Sequence, residues 1–347
     1  MSFHFRRAGG GRTKGRAGGN VVKPGFPAKK IDTFRKNGSK VNDIFLLNKN
    51  ITRSRIKSLK KIYIIYFIMS LNLNVASCLC IRNCGCFLPK IFNNLNLLGG
   101  CFSNFNVIFV YDNCRDNSEI LLEEYKKTSK FKVYVIHCQD NNSPYRTIRI
   151  ANARNKCMDA IFNKIKNIDY HFMIDADDVN CNVWNVNIIK DYFNRNDWDA
   201  LSFNRKDYYD IWALMYDNFK HHALGYFNGI LDCREIVCYM KNDISKKLDE
   251  IKDDELFECV SAFNGFAIYR TQVFRNTYYD GEYNNIKMYI SEKDREETLE
   301  FINNILQCNP SINKNFIEQC EHLFFHIRAI KKNNARIRIS KKIMFLD

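Results

Sequence analysis

The first 60 residues nearly lack acidic side chains and contain no long apolar run. They hold 16 lysines and arginines but only Asp32 and Asp43 as acids, so their net charge is +14. A secretory signal needs an apolar segment behind its positive charges, and the missing segment excludes such a signal before residue 60. Arginine and glycine without periodicity, and with little to bury, predict a disordered basic leader over residues 1–60.

Beyond that leader the chain lacks the charge excess that is typical of a nucleic-acid-binding protein. The whole chain of 347 residues carries +15, of which +14 belongs to the leader, so the rest carries about +1. Nucleic acid binding is therefore a hypothesis for the leader alone, whose arginines could follow a phosphate backbone. A solvated tail is the simpler interpretation of the same residues.

A membrane span is also not expected. No charge occurs from Ile62 to Ile81, which is long enough to cross a bilayer. However, the strongly apolar part ends at Met69, and Leu73–Cys80 has the pattern of a first strand. Too little remains for a signal anchor, so a cytoplasmic location is favoured over the Golgi or the ER.

The 14 cysteines have neither the density of a secreted disulfide scaffold nor the spacing of a zinc site. Cys78 and Cys80 form a C-x-C pair, as do Cys84 and Cys86, whereas zinc knuckles use C-x₂₋₄-C. Buried, reduced thiols are the prediction.

From about residue 70 the pattern alternates between strands and helices. Predicted strands cover Leu73–Cys80, Asn106–Tyr111, Phe131–His137 and Tyr170–Asp175, with helices over Phe87–Leu98, Glu119–Lys127 and Ile148–Ile165. Asp116 followed by Glu119 has the form of a capping box that opens the second helix. This alternation with short loops predicts an α/β fold, with a mostly parallel, Rossmann-like sheet flanked by helices.

The pattern after residue 180 is less regular. It predicts a helix over Trp184–Phe193, a short strand over Ala200–Phe203 and a helix over Glu292–Leu306. Ser261–Tyr269 reads as a bent strand in which Gly265 allows close backbone approach.

The apolar strand Tyr170–Asp175 ends abruptly in carboxylates. Asp175 and Asp177 are two residues apart, so on an extended chain they point to the same side. Ligands in open α/β sheets bind outside the carboxyl ends of the strands. Paired carboxylates suit Mg²⁺ or Mn²⁺, which can hold a diphosphate. An acidic turn that caps the next helix is the alternative interpretation.

Two further groups of polar residues follow the predicted strands. Asp112 and Asp116 stand between a strand and its helix, where nucleotides sit in such sheets, although turn and cap chemistry also favours these residues. Arg149 and Arg154 lie on the third helix, and Arg154 falls on its apolar stripe. A buried arginine needs an anion or a carboxylate partner, unless its long side chain snorkels to the edge.

A third group is Glu321 with His322 and His326. On a helix, the two histidines share a face. One histidine joining Asp177 would complete a metal site, and a structural histidine among aromatic residues is the alternative.

In this order the motifs resemble nucleotide-sugar glycosyltransferases of the GT-A fold, in particular the fungal capsule mannosyltransferase-like proteins and related enzymes of large DNA viruses. The matching stretches, over about residues 70–347, are Cys80–Asn83, Asp112–Ser118, Arg149–Asn155, Asp175–Asp177, Tyr209–Leu214, Ser261–Arg270 and Cys320–His322. The sequence departs from such families at Tyr111, where they have Glu or Asp, and at Cys114, where they have Ser or Thr. It also has Asn264 where a glycine is expected.

The resemblance implies a hexosyltransferase with one domain over residues 61–347, its nucleotide half at about 70–180 and its acceptor half at about 181–347. It implies a nucleoside-diphosphate sugar as donor, a glycan, protein or lipid acceptor, and Mn²⁺ or Mg²⁺ on a D-x-D motif. The residues expected to bind the donor are Arg82, Asp112, Asp116, Arg149, Arg154 and Asp175, and those expected to hold the metal are Asp175, Asp177 and His322. A viral member of this group would act in the host cytoplasm.

Sugar transfer needs a stabilised diphosphate leaving group and, in an inverting enzyme, a general base. The candidate catalytic residues are Asp177, Glu321 and Asp210, with Asp253 and Asp254 as further bases. A nucleotidyltransferase acting on a sugar phosphate would share the nucleotide and the metal. It would also show a glycine-rich phosphate loop with Lys or Arg near the first strand, and Cys80–Cys86 contains only Gly85. The non-enzymatic alternative is an inactive transferase body with an RNA-binding leader.

Overall fold

The computed structural model describes residues 70–139, 141–216, 234–308 and 317–346. The predicted disordered leader and the apolar run Ile62–Met69 lie outside these residues. Within the described ranges, no helix is both long enough and apolar enough to cross a membrane.

The first half alternates strands and helices, as its periodicity predicts. Its elements are β1 (Leu71–Ile81), α1 (Leu88–Gly99), β2 (Phe102–Tyr111), α2 (Ser118–Thr128), β3 (Lys132–His137), α3 (Arg146–Asp159) and β4 (Tyr170–Asp175). Helix α3 continues as a π-helical turn over Ala160–Ile165.

The second half consists of shorter elements. They are β5 (Val183–Trp184), α4 (Asn187–Lys190), β6 (Ala200–Asn204), α5 (Arg234–Glu250), β7 (Leu256–Cys259), β8 (Phe266–Arg270), α6 (Tyr283–Ile286), α7 (Glu292–Cys308), α8 (Glu321–Asn333), β9 (Ile337–Ile343) and β10 (Phe345–Leu346).

Eight strands form one sheet in the order β3-β2-β1-β4-β8-β6-β9-β7. The pairs within β3-β2-β1-β4 are parallel, and so is β6 with β9, whereas β8 and β7 run antiparallel to their neighbours. The predicted α/β fold with a mostly parallel sheet and flanking helices is thereby confirmed. Strands β1, β2, β4 and β6 all run the same way, so they end at one side of the sheet, here called the carboxyl edge.

Both faces of the sheet are covered, which explains why its central strands are continuous apolar runs. In β4, Phe172 and Ile174 pack on one face with α1 and α2, while Met173 packs on the other with α3 and α8. Alternate residues of β1 divide in the same way, with Val75 and Leu79 on the first face. This two-sided burial fixes the register of β1 and β4 and therefore the positions of the residues that follow them.

The predicted helix Trp184–Phe193 is wrong. Trp184 belongs to β5, which pairs antiparallel with β10 at Phe345, and the helix is limited to Asn187–Lys190. Trp184 is buried edge-on against Phe266, with ring centroids 5.3 Å apart. This long-range packing outweighs the local helical pattern.

The predicted capping box at α2 is also wrong. Asn117 is the N-cap residue, and the carboxylate of Asp116 instead accepts the backbone N–H of Gly85 at 2.8 Å and that of Ser118 at 3.0 Å. Glu119 does not turn back to the cap, because it accepts a hydrogen bond from the Tyr111 hydroxyl at 2.7 Å. The polar residues therefore link two loops at the carboxyl edge.

Candidate active site

The carboxylates at the end of β4 lie at the carboxyl edge, directly beside β1. Cys80 is the register partner of Asp175, so Asp175, which ends β4, lies close to Arg82, which follows the neighbouring strand β1. The backbone N–H of Asp175 donates to the carbonyl of Gly265 at 2.9 Å, and the side-chain amide of Asn180 donates to the carbonyl of Asp175 at 2.8 Å. These bonds fix the backbone on which Asp175 and Asp177 are carried.

Arg154 is buried between two carboxylates. Its Nη2 lies 3.1 Å from Asp175 Oδ1 and its Nε lies 3.2 Å from Glu321 Oε1, and the exposed fractions of the three side chains are 6%, 23% and 5%. Its guanidinium also lies over the ring of Phe263, 4.6 Å from the centroid. The predicted contact of Arg154 with a strand-end carboxylate is confirmed, and its role toward a donor stays a prediction.

Asp177 has no such cation among the ion pairs of the described residues. Its Oδ1 is buried without a hydrogen-bond partner among the described residues. Burial, followed by repulsion from Asp175 and Asp178, raises its pKa to about 7. Burial also raises the pKa of Asp175, although Arg154 opposes that rise. The strand end therefore holds more negative charge than the surrounding side chains neutralise.

Asp210 lies near the same carboxylates, in the segment after β6. Burial, with repulsion from Asp175, raises its pKa to about 7. Its Oδ1 accepts the backbone N–H of Ala213 at 3.1 Å, and its own N–H donates to Asn264 Oδ1 at 3.1 Å. A carboxylate with a pKa near neutrality is suited to accept a proton.

A basic pocket of about 430 Å³ opens at the ends of β1 and β2. Its lining residues are Arg82, Asn113, Cys114, Arg115, Asn141, Asn142, Ser143 and Arg149. Asp112 lies buried beside the pocket. It accepts hydrogen bonds from Arg82 Nη1 at 3.3 Å and from Asn141 Nδ2 at 3.1 Å. Burial and the nearby Arg82 lower the pKa of Arg149, whose Nη1 donates to the carbonyl of Ser143 at 2.5 Å. The pocket thus presents three arginines to an anionic ligand.

Asp116 serves the local structure of this pocket. Partial burial alone would raise its pKa, but hydrogen bonds from Ser118 and Gly85 lower it. Both of its oxygens accept bonds from the protein. Donor binding by Asp116 stays a prediction.

His322 lies on α8 beside Glu321, with its Nε2 4.0 Å from Glu321 Oε1. Its ring stacks on Phe263 at a centroid distance of 3.8 Å, and burial holds its pKa well below the ordinary value. In the described part of the chain, no three His, Cys, Asp or Glu side chains form a group ready to hold a metal. Metal binding by Asp175, Asp177 and His322 together stays a prediction.

Three polar residues that organise this edge are not among the predicted site residues. Arg205 follows β6 directly, Asn141 contacts Asp112, and the Asn264 side chain receives the backbone N–H of Asp210. An arginine directly after a buried strand was a usable signal for Arg205. The partners of Asn141 and Asn264 are 29 and 54 residues away in sequence, beyond any local pattern.

No protein-family model matches the chain, and no curated protein matches it. Among solved structures it is similar to TarS residues 1–349 of S. aureus (15% identity, TM-score 0.40), over 79% of this chain and 60% of that one. It is also similar to the mannosyltransferase PcManGT of Pyrobaculum calidifontis in complex with GDP-Man and Mn²⁺ (10% identity, TM-score 0.35), over 60% of this chain and 48% of that one. A third similarity is to glucosyl-3-phosphoglycerate synthase of Mycobacterium tuberculosis with Mn²⁺, UDP and glucosyl-3-phosphoglycerate (10%, 0.33), over 58% of each chain. This chain spans about 60% of the TarS fragment, and similarities this low carry no inference about what it binds.

Proposed function

We propose that this chain is a metal-dependent glycosyltransferase, which transfers a hexose from a nucleoside-diphosphate sugar to a hydroxyl of a glycan, protein or lipid. The observation that carries the proposal is the pairing of two features at one edge. The acidic strand end, where one Asp177 oxygen has no partner among the described residues, lies at the end of β4, and the basic pocket opens at the ends of β1, which adjoins β4, and of β2. The order of motifs, which resembles GT-A glycosyltransferases, supports the same assignment.

The basic pocket would hold the anionic part of the donor. Arg82 and Arg149 would pair with phosphate oxygens, for which guanidinium groups have matching geometry. Asp112, held by Arg82 and Asn141, would accept hydrogen bonds from ribose hydroxyls or the base. These fixed charges stabilise a diphosphate as negative charge develops on it.

A divalent cation fits the acidic strand end. Asp177 has a buried oxygen without a partner among the described residues, and burial, followed by repulsion from Asp175, raises its pKa, so a cation there would relieve both penalties. Asp177 and Asp175 would be its protein ligands, and His322 is a further candidate. When bound, Mn²⁺ or Mg²⁺ would supply Lewis-acid neutralisation of the diphosphate leaving group.

Asp210 is the general base that we infer for an inverting reaction. It is a buried carboxylate with a raised pKa, and no cation is paired with it among the described ion pairs. Glu321 is less suited, because Arg154 holds it in an ion pair. Asp253 is exposed and paired with Lys341 at 3.1 Å, and it precedes β7, four strands from β4 in the sheet order.

A donor panel tests the proposal. UDP-sugars and GDP-sugars are incubated with the full chain and Mn²⁺, and release of nucleoside diphosphate is measured. Nucleoside triphosphates with sugar phosphates form the second arm, and turnover there alone would establish a nucleotidyltransferase instead. No turnover in either arm, with no binding of nucleoside diphosphate, would favour the inactive-body alternative.

Asp177→Asn is the matched variant for the panel, because it keeps size and removes charge. Metal-dependent turnover should be lost without unfolding of the domain. Asp178→Asn is the control, since it changes the neighbouring exposed acid in the same way. Unchanged Mn²⁺ affinity in Asp177→Asn would mean that the acidic strand end is only a turn.

A further inference from the structure

We infer that Arg205 and the two-residue turn Asn264-Gly265 position both the acidic strand end and Asp210. The carboxylates of the strand end and the carboxylate of Asp210 are thereby held in a fixed arrangement. The role of this arrangement in catalysis rests on the proposed function, whereas the structural coupling between the acidic strand end and Asp210 does not. Arg205 is a positioning residue in this inference, because it acts through two backbone carbonyls and through the side chain of Asn180.

Arg205 joins the loop after Asp177 to the turn. Its Nη1 donates to the carbonyl of Val179 at 2.6 Å, its Nη2 donates to Asn180 Oδ1 at 2.7 Å, and its Nε donates to the carbonyl of Asn264 at 2.9 Å. Its guanidinium lies over the ring of Phe345, 3.4 Å from the centroid. Every nitrogen of the planar group is therefore engaged, which a lysine could not reproduce.

Asn180 extends this connection to Asp175. Its side-chain amide donates to the carbonyls of Asp175 and Gly265, both at 2.8 Å. The backbone N–H of Asp175 donates to the same Gly265 carbonyl. The acidic strand end is thus bound to the turn on both sides of Asp177.

The other side of the turn holds Asp210. Asn264 Oδ1 accepts the backbone N–H groups of Tyr209 at 2.9 Å and Asp210 at 3.1 Å, and its Nδ2 donates to the carbonyl of Phe203 at 2.8 Å. Asn264 is fully buried, so these bonds have no competition from water. One side chain therefore sets the backbone of the proposed base.

The conformation of the turn requires these residue types. Asn264 and Gly265 have φ of 55° and 80°, the left-handed region that asparagine and glycine tolerate best. A Cβ on Gly265 would lie 3.2 Å from Val179 Cγ2 and 3.3 Å from Arg205 Nη2. The turn thus packs directly against Val179 and Arg205, and a side chain at Gly265 would strain the backbone and force these neighbours to shift.

Arg205→Met tests the inference, with Arg270→Met as matched control. Arg270 also donates to the backbone carbonyl of Trp198 and to the Tyr170 hydroxyl, both at 2.8 Å, and its guanidinium lies over the Trp198 ring. It is the register partner of Tyr170 at the start of β4, so it lies away from the carboxyl edge. Both variants should lower the melting temperature, but only Arg205→Met should affect the carboxylates.

Two readouts separate positioning from general stability. In Arg205→Met, Mn²⁺ affinity is measured by calorimetry in the presence of nucleoside diphosphate. It should fall about tenfold or more, which is the usual loss when a residue that holds metal ligands in place is removed. Amide exchange should accelerate over residues 176–182 and 209–211. In Arg270→Met, Mn²⁺ affinity should stay within about twofold of the parent chain, and exchange should accelerate only near residues 196–200.

Asn264→Gly keeps the backbone conformation and serves if Arg205→Met does not fold. It should accelerate exchange at Tyr209 and Asp210 and lower kcat for donor turnover, with the KM for the donor nearly unchanged. Parent-like exchange at residues 209–211 in both variants would overturn the inference. Absence of Mn²⁺ and diphosphate binding in the parent chain would count against the proposed function alone, because exchange still decides the coupling.

Discussion

Replacing Arg154 by methionine should strongly destabilise the domain, because it leaves the buried Glu321 and the partly buried Asp175 without their cation. Asp175 and Glu321 lie 3.1 Å and 3.2 Å from the guanidinium, and the arginine and Glu321 side chains are almost fully buried. Removing one partner from a buried ion pair typically costs about 3–5 kcal/mol. Methionine keeps much of the stem, so little of this cost comes from a cavity.

The loss should depend on pH in a defined direction. Burial raises the pKa of Asp175, and Arg154 opposes that rise, so removing Arg154 raises the folded-state pKa further. A group with a raised folded pKa stabilises below its unfolded pKa, and that contribution is lost as pH rises through the folded value. Arg154→Met should therefore lose less stability near pH 5 than near pH 8.

Urea unfolding of the parent and variant at both pH values measures this effect. Arg149→Met, five residues earlier on the same helix and partly exposed, is the stability control and should cost much less. Adding Glu321→Gln to Arg154→Met should recover part of the loss, because one unpaired charge is removed. A loss below about 1 kcal/mol at pH 8 would refute the reasoning, because removing the partner of a buried charge should cost more than that. Parent-like donor turnover in Arg154→Met would also show that its charge is not needed in the site.

Deleting residues 1–60 should leave the melting temperature and donor affinity nearly unchanged, because almost all net charge lies there, outside the predicted domain; loss of soluble folded protein would contradict this. His322→Ala should weaken Mn²⁺ binding more than Mg²⁺ binding in calorimetry, since imidazole suits the softer ion, and an equal effect on both ions would assign His322 to the aromatic core. Asp199→Asn should cost about 1 kcal/mol at neutral pH, because Asp199 pairs with the half-exposed Arg336 at 2.8 Å. Hydrogen bonds from Arg336 lower the pKa of Asp199 although burial opposes them, so the parent chain loses this stability as pH falls through the folded value and the variant does not.

Elements in the first half of the sheet were predictable because their signals are local. Strands β1 and β4 are apolar runs whose two faces are both buried, and α1 shows apolar residues at helical spacing. Trp184 shows the opposite case. Its neighbours have a helical pattern, but its pairing with Phe345 joins segments that are more than 150 residues apart. Pairing across such a distance leaves no local trace in the sequence.

The site was predictable to the same extent as the fold, namely where its residues have a local signal in the sequence. Asp175 and Arg154 were identifiable because one ends a buried strand and the other interrupts an apolar helix stripe. Arg205 and Asn264 act through backbone groups of distant segments, and a backbone carbonyl has no signature in sequence. The misread capping box has the same origin, since Asp116 binds Gly85, 31 residues away.

The carboxylates at the carboxyl edge differ in one physical respect, which is whether a cation already neutralises them. Glu321 is paired with Arg154 at 3.2 Å, so its charge is already neutralised and it holds that arginine in place. Asp177 has a buried oxygen to which no described residue bonds, so its environment favours an added cation. The carboxylate of Asp210 accepts the backbone N–H of Ala213 and has no paired cation among the described ion pairs, and burial with repulsion from Asp175 raises its pKa to about 7. If Asp177 receives a divalent ion, the negative charge that Asp210 faces decreases, and its pKa should fall toward the ordinary range. The proposed base, which is about half ionised at neutral pH while its pKa is about 7, would then become almost fully ionised when the metal site is filled, and proton acceptance would be coupled to metal binding.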